Sequence, residues 1–208
     1  MSENFKTVSE IFTGEITEKK SRFIATLAPV STEEEALEFI KEMKKKYWDA
    51  RHNCSAYILG TTGQRMHSSD DGEPSGTAGK PILNVLAGNK LYNVICVVTR
   101  YFGGTLLGTG GLVRAYSGAV EECLKNADLK EMVYGSHIRI SASYNDIGKL
   151  QYIFAQNEAV ILSSEYTDSV TFNILIANEK EDMLLKAISE ATQNKSVSEI
   201  ITRDFFPM

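Results

Sequence analysis

Cysteine is scarce in this chain: three residues in 208, at Cys54, Cys96 and Cys123. They are far apart, odd in number and form no C-x-x-C pair. That argues against a disulfide framework and fits reduced thiols. Long apolar runs are missing as well. No stretch approaches the roughly 20 residues that span a bilayer, and the opening MSENFKTVSE has no apolar core of the signal-peptide kind. The expectation is a cytoplasmic protein without a membrane partner. Basic excess is lacking too. The formal net charge is −5, so the global footprint of a nucleic-acid binder is absent and only a local patch stays open. Before Gly135 there are 16 basic and 17 acidic residues, and from there on 6 and 10. A polyanion site therefore belongs in the first part. The three histidines show no partners at recognisable spacing, so no catalytic triad can be argued.

What is present reads as an ordinary globular chain. Hydrophobic residues make up 43% and charged ones 24%, and the length suits two domains. Ile11, Phe12 and Ile16, then Phe23, Ile24 and Leu27, flank the polar TEKKS and predict two strands. Ser31-Thr32 before three glutamates predicts a helix start. Ala36, Leu37, Phe39, Ile40, Met43 and Tyr47 continue it at helical spacing, with Lys44 to Lys46 at the end the dipole favours. Residues 53–59 and 91–99 read as buried strands, the second the strongest in the chain. Between them lies a loop rich in Gly, Pro, Ser and Asp, closing on Pro81, which suits a helix start. A helix is expected from Leu112 to about Asn126.

Beyond Glu131 the pattern changes to strand 137–144, helix 146–157, strands 159–166 and 169–177, helix 179–191 and strand 196–205. That βαββαβ order is the split βαβ, or ferredoxin-like, motif. The expected fold class is α+β, with a boundary near 130–136 and domains at 1–132 and 136–208. On the outer face of the second, Arg139, Ser141, Ser143, Thr171 and Asn173 offer no stacking aromatics, which argues against RNA-recognition-sheet use.

Two loops carry candidate chemistry. The stretch RYFGGTLLGTGG, Arg100 to Gly111, holds five glycines in twelve residues between a strand and a helix. Such a loop can present backbone N–H groups to an anion at a helix start. Thr105 and Thr109 would add hydroxyls, and Arg100 and Arg114 charge. It matches neither the Walker A pattern nor G-x-G-x-x-G, because Val113 stands where a glycine is needed. The bland alternative is that glycine serves positive φ and close packing. The second loop, HSSDDGEPSGTAGK, offers Asp70, Asp71 and Glu73 with His67, groups that Mg²⁺ or Mn²⁺ accept. Its alternative is an Asx-type turn with Ser75 or Thr77 capping the next helix. His52-Asn53-Cys54 lacks the partner cysteines of a zinc deaminase, and GEPSG is not G-x-S-x-G.

The segments DDGEPSGTAGKPIL and NVICVVTRYFGGTLLGTGGLVRAYSGAV resemble the IMPACT family, in its two-domain bacterial branch (the YigZ type). The resemblance implies a first domain like domain 2 of ribosomal protein S5 and a second like the C-terminal domains of elongation factor G. Eukaryotic IMPACT proteins regulate translation through a binding partner that bacteria lack, and they also carry a different accessory domain, so their mechanism is not expected to transfer to this chain. For the bacterial branch the fold similarity implies binding of nucleic acid or ribosome components, an analogy of fold.

The expected function is translation-related binding, more than catalysis, with cofactor unassigned and RNA or the ribosome as partner. The two loops are expected to form one surface. Arg100 and Arg114 would contact phosphate, with Tyr101, Phe102 and Thr105 beside them. Backbone amides at Gly103, Gly104, Gly108, Thr109, Gly110 and Gly111 would cradle it. Asp70, Asp71 and Glu73, with Ser75 nearby, would repel stray anions, order the loop, or hold a bridging cation. Two rival classes remain: a nucleotide- and Mg²⁺-dependent enzyme, which lacks an obvious lysine over the loop and has Lys80 as the nearest candidate, and a protein-binding module without nucleic acid.

Overall fold

The computed structural model describes residues 4–208. They fall into two compact units, Phe5–Glu131 and Met132–Met208, with Asn4 assigned to the second. The chain passes from one to the other inside a single strand, with no linker loop.

The first unit runs β1 (Phe5–Val8), β2 (Phe12–Glu18), β3 (Ser21–Pro29), α1 (Glu33–Lys46), β4 (His52–Leu59), β5 (Arg65–Ser69), α2 (Gly79–Gly88), β6 (Val94–Tyr101) and α3 (Thr109–Lys125). Strands pair in the order β2-β3-β6-β4-β5, and every pairing is antiparallel. Helices cover both faces. Val94, Cys96 and Val98 of β6 join Phe23, Ala56, Ile82 and Tyr116 in a core beneath α2 and α3. Ile95 and Val97, one residue out of phase, join Phe39, Met43 and Tyr57 in a second core beneath α1. A strand buried on both faces must be apolar at successive positions, which is why VICVV reads as a continuous run.

Local signals account for the ends of several elements. Thr32 caps α1: its hydroxyl accepts from Glu35 N–H at 3.2 Å, and the Glu35 carboxylate accepts from Thr32 N–H in return. The β2–β3 hairpin turns on Lys19 and Lys20, both at positive φ (46° and 67°). Two-residue hairpin turns demand that backbone, usually from Asn-Gly.

The second unit continues with β7 (Leu129–Ala142), α4 (Ile147–Gln156), β8 (Val160–Tyr166), β9 (Val170–Ala177), α5 (Asn178–Thr192) and β10 (Val197–Pro207). The strands lie antiparallel in the order β10-β7-β9-β8. Ile138, Ile140, Phe172 and Ile174 pack against Leu150, Phe154, Leu184 and Ile188 of the two helices. Glu181 on α5 is 5% exposed and takes Arg203 Nη2 at 2.6 Å and the Ser136 hydroxyl. Arg203 sits on β10 and Ser136 on β7, so this contact joins both strands to α5.

The whole is a mixed α/β protein of two units with antiparallel sheets. Three element readings change. Strand β5 runs into the loop expected from His67 on. β7 begins at Leu129, so the strand expected at 137–144 runs through the expected boundary. β6 reaches Tyr101, so Arg100 and Tyr101 end a strand and do not belong to the glycine loop.

Candidate functional site

Side chains alternate between the two layers along β6. Arg100 continues the row of Val94, Cys96 and Val98, and Tyr101 that of Ile95 and Val97. Arg100 therefore turns under α3, with its guanidinium carbon 5.4 Å from the Phe23 ring and 5.6 Å from the Phe102 ring. Tyr101 turns the other way, and its hydroxyl donates to Asp49 at 2.8 Å. Burial, then the Asp49 hydrogen bond, raises the Tyr101 phenol above its ordinary value.

Arg100 is no free surface cation. Its side chain is 7% exposed, and Nη1 meets Glu73 Oε1 at 2.6 Å. Tyr116 on α3 donates its hydroxyl to the same oxygen at 2.8 Å, and the Cys54 thiol donates to the Tyr116 hydroxyl at 3.3 Å. Burial pushes the Cys54 thiol up to about 12 and drives the Tyr116 phenol far above its ordinary value. This chain of groups links the acidic loop to β6, β4 and α3. Arg100 Nη1 is thereby paired with a carboxylate inside the fold, where it positions the loop. Its Nε–H has no acceptor within the described residues.

The three loop acids are all engaged inside the fold. Asp70 accepts from the backbone N–H groups of Gly76, Ala78 and Gly79 at 2.8, 3.0 and 2.8 Å, so it caps the start of α2. Partial burial opposes ionisation of Asp70, yet these three donors outweigh it and hold the carboxyl below its ordinary value. Asp71, at φ 43°, meets Lys44 Nζ at 2.6 Å and accepts from Asn53 N–H at 2.7 Å. Glu73 is the buried partner of Arg100. Ordering the loop through hydrogen bonds is thus what the acids visibly do. No cluster of three or more His, Cys, Asp or Glu suited to a metal occurs among the described residues. Ser75 and Lys80 are exposed.

The glycine loop climbs over the β2–β3 turn. Gly103 N–H donates to the Ser21 hydroxyl at 3.1 Å, and a Cβ on Gly103 would lie 2.0 Å from the Lys20 carbonyl carbon. Only glycine fits there. Gly108, at φ 74°, is the N-cap of α3 and offers no side-chain oxygen to the helix. Gly110 and Gly111 are already helical. The first bond of the helix closes from Leu112 N–H to Gly108 C=O at 3.0 Å. The N–H groups of Thr109, Gly110 and Gly111 precede it and have no intrahelical acceptor.

Two hollows flank this loop. The larger encloses about 410 Å³. Glu73 and Pro74 of the acidic loop form one side, Phe102 and Leu106 to Thr109 the other, with Arg51, His52, Arg100 and Leu112 completing it. The smaller, about 220 Å³, lies between Ile16, Glu18 and Lys19 of the hairpin and Leu107, Gly111, Arg114 and Ala115. Leu107 lines both. The acidic and glycine loops therefore share one cleft, with Glu73 and Pro74 facing Phe102 and Leu106. Gly104 and Thr105 are exposed on the loop outside it.

Arg51 and Lys19 carry no local signal in the sequence, where His52 stood out only for its zinc-deaminase-like spacing to Cys54. The β4–β6 register sets His52 opposite Arg100, a pairing that no local pattern reveals. Two adjacent leucines in an otherwise polar loop, Leu106 and Leu107, were the available hint: Leu106 is 82% exposed.

The Impact N-terminal domain matches residues 19–124, spanning both loops and the cleft between them. The chain belongs to the IMPACT family. A second match, described as a domain of unknown function (DUF1949), covers residues 140–195. The IMPACT family member YvyE of Bacillus subtilis is 40% identical over 196 residues, 94% of this chain and 90% of its own. YigZ of Escherichia coli is 37% identical over 164 residues, 78% of this chain and 80% of its own. A crystal structure titled as that of a hypothetical protein is similar across 98% of this chain and 100% of its own, with a TM-score of 0.61 and 30% identity. Similarity reaches the eukaryotic members: the Protein IMPACT homolog of Dictyostelium discoideum is 39% identical over 106 residues, 49% of this chain and 30% of its own. This IMPACT family member has no helix, among its described residues, long and apolar enough to cross a membrane.

Proposed function

We propose that this IMPACT family member is a translation-related regulatory protein that acts by binding a nucleic-acid strand, free or within the ribosome, on the glycine-loop surface of its first unit. One observation carries the reading. Arg51, Lys19 and Arg114 are exposed cations placed on both sides of the loop, around a helix start without a side-chain cap. Cations and free helix N–H groups together favour phosphate. Arg100 and Glu73 hold the loops in place.

In the same reading the first unit is an S5 domain 2-like domain and the second a ferredoxin-like domain related to the elongation factor G C-terminus. The element order βαββαβ and the strand order β10-β7-β9-β8 support the latter. The protein works in the cytoplasm, as its buried free thiols suit.

Fluorescence anisotropy with the full chain and a labelled single-stranded RNA of about 12 nucleotides tests it. Three phosphate contacts predict a log–log salt slope near about −2 for single strands. Replacing Arg51, Lys19 or Arg114 by alanine is expected to flatten the slope by about 0.7 each. Absent or salt-independent binding would overturn the proposal.

A further inference from the structure

The larger hollow has a chemistry of its own. Its walls are mostly apolar: Phe102, Leu106, Leu107, Leu112 and Pro74. Its volume of about 410 Å³ falls within the roughly 300–1,000 Å³ of small-ligand sites. A cleft that served only to attract phosphate would not need such walls. Phe102 leaves 49% of its surface exposed and Leu106 82%, although both are large and apolar. Phe102 already packs by one contact on the Arg100 guanidinium, which fixes its ring as a platform.

The polar side of the cleft is equally specific. Arg100 lines it with a side chain that is 7% exposed, and its Nε–H lacks an acceptor among the described residues. A buried donor left unpaired is uncommon and needs a reason. Gly108 and Thr109, at the start of α3, line the same cleft. Among the lining Arg, Lys, Asp and Glu side chains, Arg51 and Arg100 stand against Glu73, leaving one positive charge. That matches one phosphodiester, which carries a single negative charge per nucleotide.

We infer that the cleft receives one unstacked nucleotide of a single strand, its base against Phe102 and Leu106 and its phosphate at Arg51, Arg100 and the start of α3. This rests on the nucleic-acid reading above. A base within a duplex is stacked and cannot enter such a cleft, so the site selects single strands.

The test uses the full chain in anisotropy titrations against three probes of one sequence, about 12 nucleotides long as before. They are a single-stranded RNA, the same RNA annealed to its complement, and the same strand with abasic sugars. The single strand is expected to bind about tenfold tighter than the other two. Phe102→Ala and Leu106→Ala are expected to remove that preference while leaving abasic binding and its salt slope unchanged. Both residues are exposed, so the variants should keep the wild-type melting temperature, checked by circular dichroism. Equal, salt-dependent binding of all three probes overturns the nucleotide cleft and leaves the surface reading standing. So does a preference that both variants retain. No binding by any probe overturns both.

Discussion

Replacing Arg100 by methionine is expected to destabilise the first unit by about 3–5 kcal/mol, the cost of leaving a buried partner charge unpaired. Methionine keeps most of the apolar stem, so packing between Phe23 and Phe102 changes little. The loss falls on Glu73, 3% exposed at its side chain and otherwise satisfied by the Tyr116 hydroxyl. Glu73→Gln inverts the problem, leaving Arg100 buried without its carboxylate, and is expected to cost a similar amount. The double variant removes both charges. Its cost is expected to undercut the sum of the singles by at least about 2 kcal/mol, the coupling of residues in one network. Scanning calorimetry reads this. In a unit of this size each kcal/mol lowers the melting temperature by about 3–5 °C, so each single variant should melt about 9–25 °C lower. Additive costs would refute the reasoning. So would a loss below about 1 kcal/mol for Arg100→Met, the range of an exposed pair.

Further outcomes follow from the same geometry. Asp70→Asn is expected to lose about 1–3 kcal/mol at neutral pH, because three backbone N–H groups lose a charged acceptor. The Asp70 carboxyl is held below its ordinary value of 3.8, so its contribution is present above that pH and fades as pH falls through the lower folded value. Urea melts of both proteins down the acid range should converge, and a gap that stays constant would refute the assignment. Burial pushes Cys54 to about 12, Cys123 to about 11 and Cys96 well above its ordinary value. A thiol-specific reagent at mildly alkaline pH should therefore label none of the three in the native protein and all three after denaturation. Gly103→Ala forces a methyl into the Lys20 backbone and is expected to cost about 1–3 kcal/mol, read as a lower melting temperature.

Elements whose cause is local were legible in the chain. Thr32 with Glu35 announces α1 because a capping box needs residues only three apart. VICVV announces a doubly buried strand because each apolar side chain reports its own layer. The helices and strands of the second unit follow from periodicity of the same kind. Elements without an apolar pattern were not legible. β5, RMHSS, is a polar edge strand whose only strand partner among the described residues is β4, and β1 shows little in sequence beyond Phe5 and Val8. The candidate site divides in the same way. Two loops of unusual composition were visible, and they do share a cleft. The roles within them were not visible, because they depend on partners distant in sequence. Glu73 finds Arg100 across 27 residues and Tyr116 across 43, and His52 stands beside Arg100 only through the β4–β6 register. Alternation along β6 then sends Arg100 and Tyr101 to opposite layers. Composition set which groups were available. The pairing of strands settled which charges were neutralised inside, and so left Arg51, Lys19 and Arg114 as exposed cations around the glycine loop.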